Sequence, residues 1–502
     1  MNAVILLITI LIPFVGGALL LGVKDPCKEN PNACENFYKK IQIYSETLVI
    51  ITSLLVWYVL LHRPEEGFIF FQLTGNLRFM LKLDGLGSVF AGLVSFLWPL
   101  ANLYAFEYME HEEKRRNTFF GFYTMTYGVT LGIAFSGNIL TLYFFYELLT
   151  LATVYLVMHP MTKKAIRASR MYLYYSLGGA AFAFLSIICL TVFGDTSNFV
   201  LGGVLDMEAV SAHPNRVLVM FLLAFCGFGV KAALFPFHGW LPKASVAPTP
   251  VTALLHAVAV VKSGAFAIIR VIYYSYGADF LRGTWVQYVV MVMAMFTVLY
   301  GSTMAVKEIH IKRRLAYSTI SNLSYILLGA VMMTPFGMIG AISHLVVHAF
   351  MKICSFFCIG AVMHRTGRNY VPELEGLGRR MPVVFGCLTI ASVSLMGVPP
   401  FGGFISKWNL AVAALLNENP LRFAAMGVLL YAAFMTAIYM GQMVIKGWFP
   451  RKEHALRFSE NERDPGWKMK LPLVIFACMI LLLGLCAKPF MELIQAVAYG
   501  DF

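Results

Sequence analysis

Ionisable side chains interrupt the long apolar stretches of this chain. The set comprises four lysines, three histidines and one glutamate: Lys231, Lys262, Lys352, Lys407, His256, His344, His348 and Glu147. A lysine at the centre of a bilayer costs about 2.5–3.5 kcal/mol on insertion scales, and such residues usually line an ion or proton path. Most of the set are nitrogen bases, and a lysine ammonium has no lone pair to offer a cation. The residue types therefore indicate proton transfer.

The most regular spacing lies in the segment HLVVHAFMK, where His344, His348 and Lys352 follow one another at intervals of four residues. Side chains four residues apart share one face of a helix. The spacing predicts a polar stripe along an apolar span. Two histidines four apart also occur in zinc sites, but the third ligand of such a site is missing here. We therefore expect no metal.

The remaining members suggest one ion pair and one isolated group. Glu147 lies at the centre of an apolar stretch, and burial disfavours the charged form of a carboxylate unless a cation is near. We predict a switchable pair between Glu147 and Lys231, with a purely structural ion pair as the alternative. His256 lies six residues before Lys262, and a hydrogen-bonded core histidine is the alternative for it.

Two apolar stretches are broken by proline and glycine next to a lysine. The first reads GFGVKAALFPFHGWLP and contains His238, and the second reads SLMGVPPFGGFISKWNL. The prolines at the breaks are Pro236, Pro242, Pro399 and Pro400. Proline interrupts helical hydrogen bonding, and a matched pair of broken spans is typical of inverted repeats around a transport site. For either break alone, an ordinary kink is the alternative.

The composition is that of a membrane protein. Of 502 residues, 59% are hydrophobic and 13% charged, and the mean hydropathy is +0.72. A span needs about 20 apolar residues. We predict an all-α polytopic protein with about fourteen spans, near 2–22, 44–61, 84–106, 118–136, 138–158, 171–193, 216–241, 250–275, 286–305, 314–333, 338–363, 383–416, 422–447 and 470–492. The broken stretches are the seventh and twelfth, and their odd offset implies opposite orientations.

The net charge of +13 is distributed unevenly. Loops after odd-numbered spans carry basic clusters such as Lys114–Arg116, Lys163–Arg170, Lys312–Arg314 and Arg379–Arg380. Loops after even-numbered spans hold only Arg63, Arg78, Lys82, Arg216, Arg282 and Arg422. The positive-inside rule places the odd loops in the cytoplasm. We expect a multi-pass protein of the inner (cytoplasmic) membrane with both termini on the outer side, and the basic excess requires no nucleic acid.

No redox or nucleotide site is recognisable in the sequence. The nine cysteines form no metal or cluster framework, and no phosphate-binding loop is present. Cys27 and Cys34 lie in the first loop, on the reducing side, so we expect no disulfide there. We expect no cofactor and no metal in this chain, with redox centres in partner subunits.

Five segments together resemble a known family. They are LTLYFFYELLTLATVYL, KAALFPFHGWLPKASVAPTPVTALLHAVAVVKSGAFAIIR, IKRRLAYSTISNLSYI, HLVVHAFMKICSFFCIGAV and MGVPPFGGFISKW. The chain resembles, over about residues 80–440, the antiporter-like subunits of respiratory complex I, the Mrp cation/proton antiporters and the membrane-bound hydrogenases. Lys407, where some family members carry glutamate, leans toward the Mrp D-type or hydrogenase-type members.

The resemblance implies a fold and a role. It implies fourteen helices with N-terminal helices in 1–117, inverted five-helix repeats in 118–275 and 286–447, and a loop and last helix in 448–502. It implies proton translocation through a buried relay, as one subunit of a redox-driven complex in the bilayer. In that relay, Glu147 and Lys231 would be the input pair and Lys407 the outlet, and the central members would be Lys262, His344, His348 and Lys352. The alternatives are a D-type subunit of a multisubunit Na⁺/H⁺ antiporter, with sodium bound by carbonyls at the breaks, and a non-pumping structural subunit.

Overall fold

The computed structural model describes residues 3–23, 31–64, 66–74, 77–111, 115–450 and 462–502. The described residues are predominantly helical. The first ten α-helices are α1 (Val4–Gly22), α2 (Pro31–His62), α3 (Gly85–Tyr108), α4 (Arg116–Ala134), α5 (Ile139–Met158), α6 (Lys163–Phe193), α7 (Met207–Ser211), α8 (Pro214–Lys231), α9 (Trp240–Ala244) and α10 (Thr249–Ala253). The others are α11 (Val260–Ile269), α12 (Ala278–Leu281), α13 (Trp285–Lys307), α14 (Ile311–Val331), α15 (Pro335–Thr366), α16 (Leu377–Arg380), α17 (Pro382–Met396), α18 (Gly402–Leu416), α19 (Arg422–Trp448), α20 (Trp467–Leu485) and α21 (Ala487–Tyr499).

Eleven helical segments of the described chain are long and apolar enough to cross a membrane. The broken twelfth stretch contributes two shorter apolar helices, α17 and α18. A polytopic membrane protein is thus confirmed, whereas the count of fourteen spans stays a prediction.

Two stretches of helix lie at the centre of the molecule. The hydrophobic parts of α15 and of Thr249–Tyr276 are buried along their whole length, unlike those of the other spans. These two carry five of the predicted ionisable residues: His256, Lys262, His344, His348 and Lys352. The polar set therefore occupies the core of the fold.

The segment Thr249–Tyr276 is not a regular helix. Leu254–Val258 and Arg270–Tyr276 are π-helical, and α11 lies between them. A π segment inserts an extra residue into the turn and is often found at functional sites. His256 lies in the first of these segments, and this changes which residues share a face with Lys262.

A two-stranded antiparallel hairpin connects α2 and α3, and the all-α prediction missed it. Its strands are β1 (Phe68–Thr74) and β2 (Leu77–Leu81), with Phe68 opposite Leu81. Aromatic and β-branched residues in the segment FIFFQLT favour a strand. The high hydropathy of the surrounding spans concealed this signal.

Several predicted loop cations lie inside helices. Lys163 to Arg170 form the first turns of α6, where the hydroxyl of Thr162 accepts from Ala165 N at 3.1 Å. Lys312 and Arg314 lie in α14 and are buried. Lys312 Nζ donates to the carbonyl of Ala247 at 3.1 Å, which explains its burial. Assigning these residues to loops was wrong, because α6 begins at Lys163 and α14 at Ile311, each before the apolar part of its span.

The cysteines depart from expectation at one position. Cys34 is disulfide-bonded, against the expectation of a reduced first loop, and Cys27 lies outside the described residues. Cys189, Cys226, Cys354, Cys358, Cys387, Cys478 and Cys486 are free.

Candidate functional site

The first helix break lies directly after Lys231. α8 ends at that residue, and Ala233 adopts a left-handed conformation with φ of 56°. The indole of Trp240 donates to Val230 O at 2.9 Å and ties α9 back to the end of α8. The break therefore holds Lys231 at a helix terminus in the interior, as the sequence predicts.

Lys231 contacts the predicted carboxylate. Its Nζ lies 3.5 Å from Glu147 Oε1 on α5 and also donates to the carbonyl of Tyr146. The ammonium lies 3.4 Å from the centre of the Tyr146 ring. The side chain of Lys231 is 1% exposed and that of Glu147 is 20% exposed. The pair thus has one buried member and one member with access to the surroundings.

A second group of relay residues meets between α11 and α15. Lys262 Nζ lies 2.7 Å from His348 Nδ1, a short distance for a hydrogen bond between two nitrogens. The rings of His348 and His344 follow at 5.7 Å between centroids. His344 Nδ1 is 3.0 Å from Ser406 Oγ at the start of α18. Three buried bases are therefore aligned from α11 toward the second break.

Lys407 ends this series on α18. Its Nζ donates to the carbonyls of Leu395 at 2.6 Å and Met396 at 3.4 Å, the last residues of α17. The ring of Tyr325 lies 5.4 Å from Lys407 Nζ and 5.4 Å from the His344 ring. Tyr325 thus bridges His344 and Lys407, and sequence reasoning did not single it out.

The two groups approach each other through a close helix contact. A methyl group added at Gly264 of α11 would lie 2.5 Å from the backbone nitrogen of Ala232 and 2.9 Å from the carbonyl carbon of Lys231. Only glycine permits this approach between α11 and the first break. The contact therefore fixes the distance between α11 and the first break, while Lys262 lies two residues from Gly264, about half a turn around α11.

Lys352 lies on a side branch rather than in the series. Its Nζ donates to Ser318 Oγ at 2.6 Å and to Leu315 O at 3.3 Å, both on α14. Ser318 Oγ continues to the Tyr439 hydroxyl at 2.7 Å. The three residues on one face of α15 therefore separate into two branches.

The other two histidines stand apart. His256 Nε2 is 3.4 Å from Ser245 Oγ, and its ring packs on Phe356. His238 stacks on Phe235 and meets the Tyr300 ring edge to face. Within the described part of the chain, no hydrogen bond or ion pair joins either histidine to the lysines. Both fit aromatic packing as well as they fit proton transfer.

Arg270, which is buried, and Asp84, which is partly exposed, form an ion pair that sequence reasoning missed. Arg270 is fully buried in the second π segment, and both of its terminal nitrogens contact the carboxylate of Asp84. Asp84 also caps α3 by accepting from Gly87 N at 2.9 Å. The pair joins the end of the core segment to the start of α3.

Glu46 is a second residue whose environment the sequence concealed. Its Oε2 accepts from Asn102 Nδ2 at 2.9 Å, and the same amide donates to Ser45 Oγ at 3.1 Å. Ser45 Oγ lies 3.2 Å from Thr124 Oγ1. The predicted second span began at 44, but α2 begins at Pro31, so Glu46 is at mid-helix.

The described residues contain no cluster of three or more histidine, cysteine or acidic side chains that could hold a metal ion. The chemistry of the site is instead that of amines, imidazoles and hydroxyls at hydrogen-bonding or ring-contact distance. Groups within hydrogen-bonding reach, directly or through one water, can pass protons. Lys262 and His348 meet this condition directly, whereas His348, His344 and Tyr325 follow one another by ring packing and the Tyr325 hydroxyl donates to Leu429 O at 2.9 Å.

Comparison with known proteins identifies the family. Residues 136–436 match the family model described as "NADH:quinone oxidoreductase/Mrp antiporter, TM". Residues 70–120 match "NADH-Ubiquinone oxidoreductase (complex I), chain 5 N-terminus".

Curated relatives include both a subunit of an NADH-quinone oxidoreductase and a subunit of an Na⁺/H⁺ antiporter. The chain is 30% identical over 416 residues to NADH-quinone oxidoreductase subunit N of Desulforudis audaxviator, covering 81% of each protein. It is 30% identical to an Na⁺/H⁺ antiporter subunit of Alkalihalophilus pseudofirmus, covering 82% of this chain and 52% of the relative. The chain thus spans about half the length of that antiporter protein.

Solved membrane complexes contain chains of the same fold. A chain of the Mrp complex from Dietzia sp. superposes with a TM-score of 0.83 at 21% identity, covering 99% of this chain and 96% of that one. A chain of the archaeal membrane-bound sulfane sulfur reductase gives 0.82 at 22% identity, with the same coverage. The chain therefore belongs to the NADH:quinone oxidoreductase/Mrp antiporter membrane family, the antiporter-like subunits that the sequence resemblance indicated.

Proposed function

We propose that this chain translocates protons across the membrane as one subunit of a redox-driven complex. The observation that carries the proposal is the buried series Lys262–His348–His344–Tyr325–Lys407, which connects the core segment to the second break. Family membership supports ion translocation in a multisubunit complex.

The contacts favour an order of transfer. Protons enter at Glu147 and Lys231, cross to Lys262, and continue through His348 and His344 to Lys407, with water carrying them wherever the side chains are not hydrogen-bonded to each other. Each protonated group disfavours a charge on its neighbour, so arrival at one base promotes release from the next. Lys352 is hydrogen-bonded to Ser318, which contacts Tyr439. It holds a proton beside the series and does not pass it from one member to the next.

The finer architecture is part of the same proposal. Helix α8 with its break and α17–α18 with theirs occupy matching places in inverted repeats over 118–275 and 286–447. The loops after odd-numbered spans face the cytoplasm and both termini face outward, because those loops carry the basic clusters and basic loops stay on the cytoplasmic side. Fourteen spans result when α4, α14 and the pair α17–α18, taken as one broken span, are added to the eleven long apolar segments.

One observation favours a second candidate, a subunit of a multisubunit Na⁺/H⁺ antiporter. Relatives that are named as Na⁺/H⁺ antiporter subunits match 82% of this chain at 29–30% identity. Under this candidate the same relay carries protons inward against sodium. A purely structural subunit is the remaining rival, and it requires none of the relay contacts.

Purification of the native complex through a tag on this chain, with mass spectrometry of its partners, separates the candidates. Partners with redox centres support the redox-driven complex, whereas small membrane partners alone support the antiporter. The purified complex is then placed in liposomes with a pH-sensitive dye. Proton movement that persists at the wild-type rate in an assembled Lys262→Met complex would leave only the structural role.

A further inference from the structure

An apolar groove and a polar basin meet on the side of the molecule formed by α2, α3, α15, α20 and α21. The groove encloses about 360 Å³, and its walls include Trp57, Phe96, Phe350 and Leu483. The basin encloses about 750 Å³ between the end of α2 and the start of α3. Arg63, Leu61 and Phe502 line both, so the two cavities are adjacent.

The basin is basic. Arg63 directly follows α2 with its guanidinium 4.0 Å from the centre of the Phe502 ring, and Lys82 is exposed after β2. Neither makes an ion pair within the described chain. The carboxylate in the basin wall, Asp84, is already neutralised by Arg270. Two uncompensated cations therefore face the basin.

The location of these cations is unusual. The loops after even-numbered spans hold only six basic residues, and two of them line this one basin. Basic residues are depleted on the outer side of membrane proteins. A pair retained beside an apolar groove points to an anionic partner with a long apolar part.

The groove reaches the core. Val346 and Phe350 of α15 form part of its wall. They follow His344 and His348 by two residues each, about 200° around the helix. An apolar chain in the groove would pack on the rear of the helix that carries both relay histidines.

We propose that the groove and basin bind one anionic phospholipid, with an acyl chain along α15 and its phosphate held by Arg63 and Lys82. Arginine binds phosphate oxygens in a bidentate manner and lysine binds them as a point charge. The groove volume is within the range of organic ligand sites. This site does not depend on the proton relay.

The test uses the purified, delipidated complex and native mass spectrometry with added phosphatidylglycerol or phosphatidylcholine. The wild type should bind one phosphatidylglycerol per chain and prefer it over phosphatidylcholine. Replacing both cations, Arg63→Gln with Lys82→Gln, should weaken phosphatidylglycerol binding about tenfold or more and remove the preference. Arg78→Gln, in the same hairpin but outside the basin, is the matched control and should bind as wild type does.

A second variant tests the groove without touching the cations. At Gly92 an added Cβ would meet only Leu60, at 3.4 Å, so Gly92→Phe can fill the groove without a backbone clash. It should abolish binding of both lipids, and Val89→Trp replaces it if assembly fails. Unchanged lipid binding in the double-glutamine and groove-filling variants would overturn the proposal. So would inorganic phosphate displacing the lipid completely, or a Gly92→Cys variant that crosslinks to a neighbouring subunit.

Discussion

The two helix breaks each hold a lysine, but by different means. At the first break Lys231 faces a carboxylate, Glu147, at 3.5 Å. At the second, Lys407 faces the carbonyls of Leu395 and Met396 at the end of α17. The C-terminal end of a helix carries partial negative charge, equivalent to about half an elementary charge. The first lysine is thus held by a full counter-ion and the second by a weaker one.

This difference suggests a direction. A carboxylate that can itself take up a proton makes the first break a suitable input. Lys407 interacts with fixed dipoles that cannot titrate, so in the proposed relay its proton would leave when a neighbouring base becomes charged. The backbone differs as well: the left-handed residue is Ala233 at the first break and Gly397, with φ of 88°, at the second.

The largest effect is expected from removing the carboxylate. Glu147→Gln leaves Lys231 with carbonyl and ring contacts only, so the two breaks become alike. We expect proton translocation in liposomes to fall at least about tenfold, equivalent to 1.4 kcal/mol or more, with the complex still assembled. Glu208→Gln, an exposed glutamate on α7, is the control. A wild-type rate in Glu147→Gln would show that the breaks do not differ in the way proposed.

Substitution at the second break should separate charge from geometry. Lys407→Met removes the donor to both carbonyls, and we expect about a tenfold loss of proton translocation. Lys407→Arg keeps a donor but not a releasable proton, because arginine stays protonated. It should assemble as stably as wild type and translocate as poorly as Lys407→Met. An active Lys407→Arg complex would mean that Lys407 only positions its neighbours.

A reciprocal backbone exchange tests the strain at the two breaks. Gly397→Ala forces a Cβ to within 2.9 Å of Lys407 Cδ at a positive φ. We expect a destabilisation of about 1–2 kcal/mol, seen as a lower melting temperature of the purified complex. Ala233→Gly relieves the equivalent strain and should leave the melting temperature unchanged or slightly raised. A lower melting temperature for Ala233→Gly than for Gly397→Ala would contradict the left-handed conformations assigned to these two residues.

The smallest effect is expected at Ser406, which lies beside the second break only. Ser406→Ala removes the partner of His344 Nδ1 at 3.0 Å. A neutral hydrogen bond contributes about 0.5–1.5 kcal/mol, so the translocation rate should fall about threefold. The matched change Ser302→Ala, in α13 away from the relay, should have no effect on rate. Complete loss of proton translocation in Ser406→Ala would mean that the serine hydroxyl itself transfers protons.

Much of this comparison could be predicted from the sequence because proline, glycine and lysine act locally. The breaks and the stripe of His344, His348 and Lys352 depend on short-range patterns. The division of that stripe could not be predicted, because it depends on which helix faces each residue. Lys352 contacts α14, whereas His348 contacts α11.

Tertiary partners and irregular turns account for what was missed. Arg270 and Asp84 are distant in sequence, and nothing local marks them as a pair. The two π segments rotate their residues relative to a regular helix, so the positions of His256 and Arg270 do not follow from spacing. Tyr325 was missed because a tyrosine in an apolar span is usually core packing.

The most direct test of the relay is the ratio of protons moved to turnovers of the driving reaction, measured in liposomes with Lys262→Met. Lys262 is the contact between α11 and the histidines, so the variant should retain the driving reaction in part while the ratio falls toward zero. Lys243→Met, an exposed lysine in α9, should keep the wild-type ratio. An assembled Lys262→Met complex with an unchanged ratio would contradict proton transfer through this series.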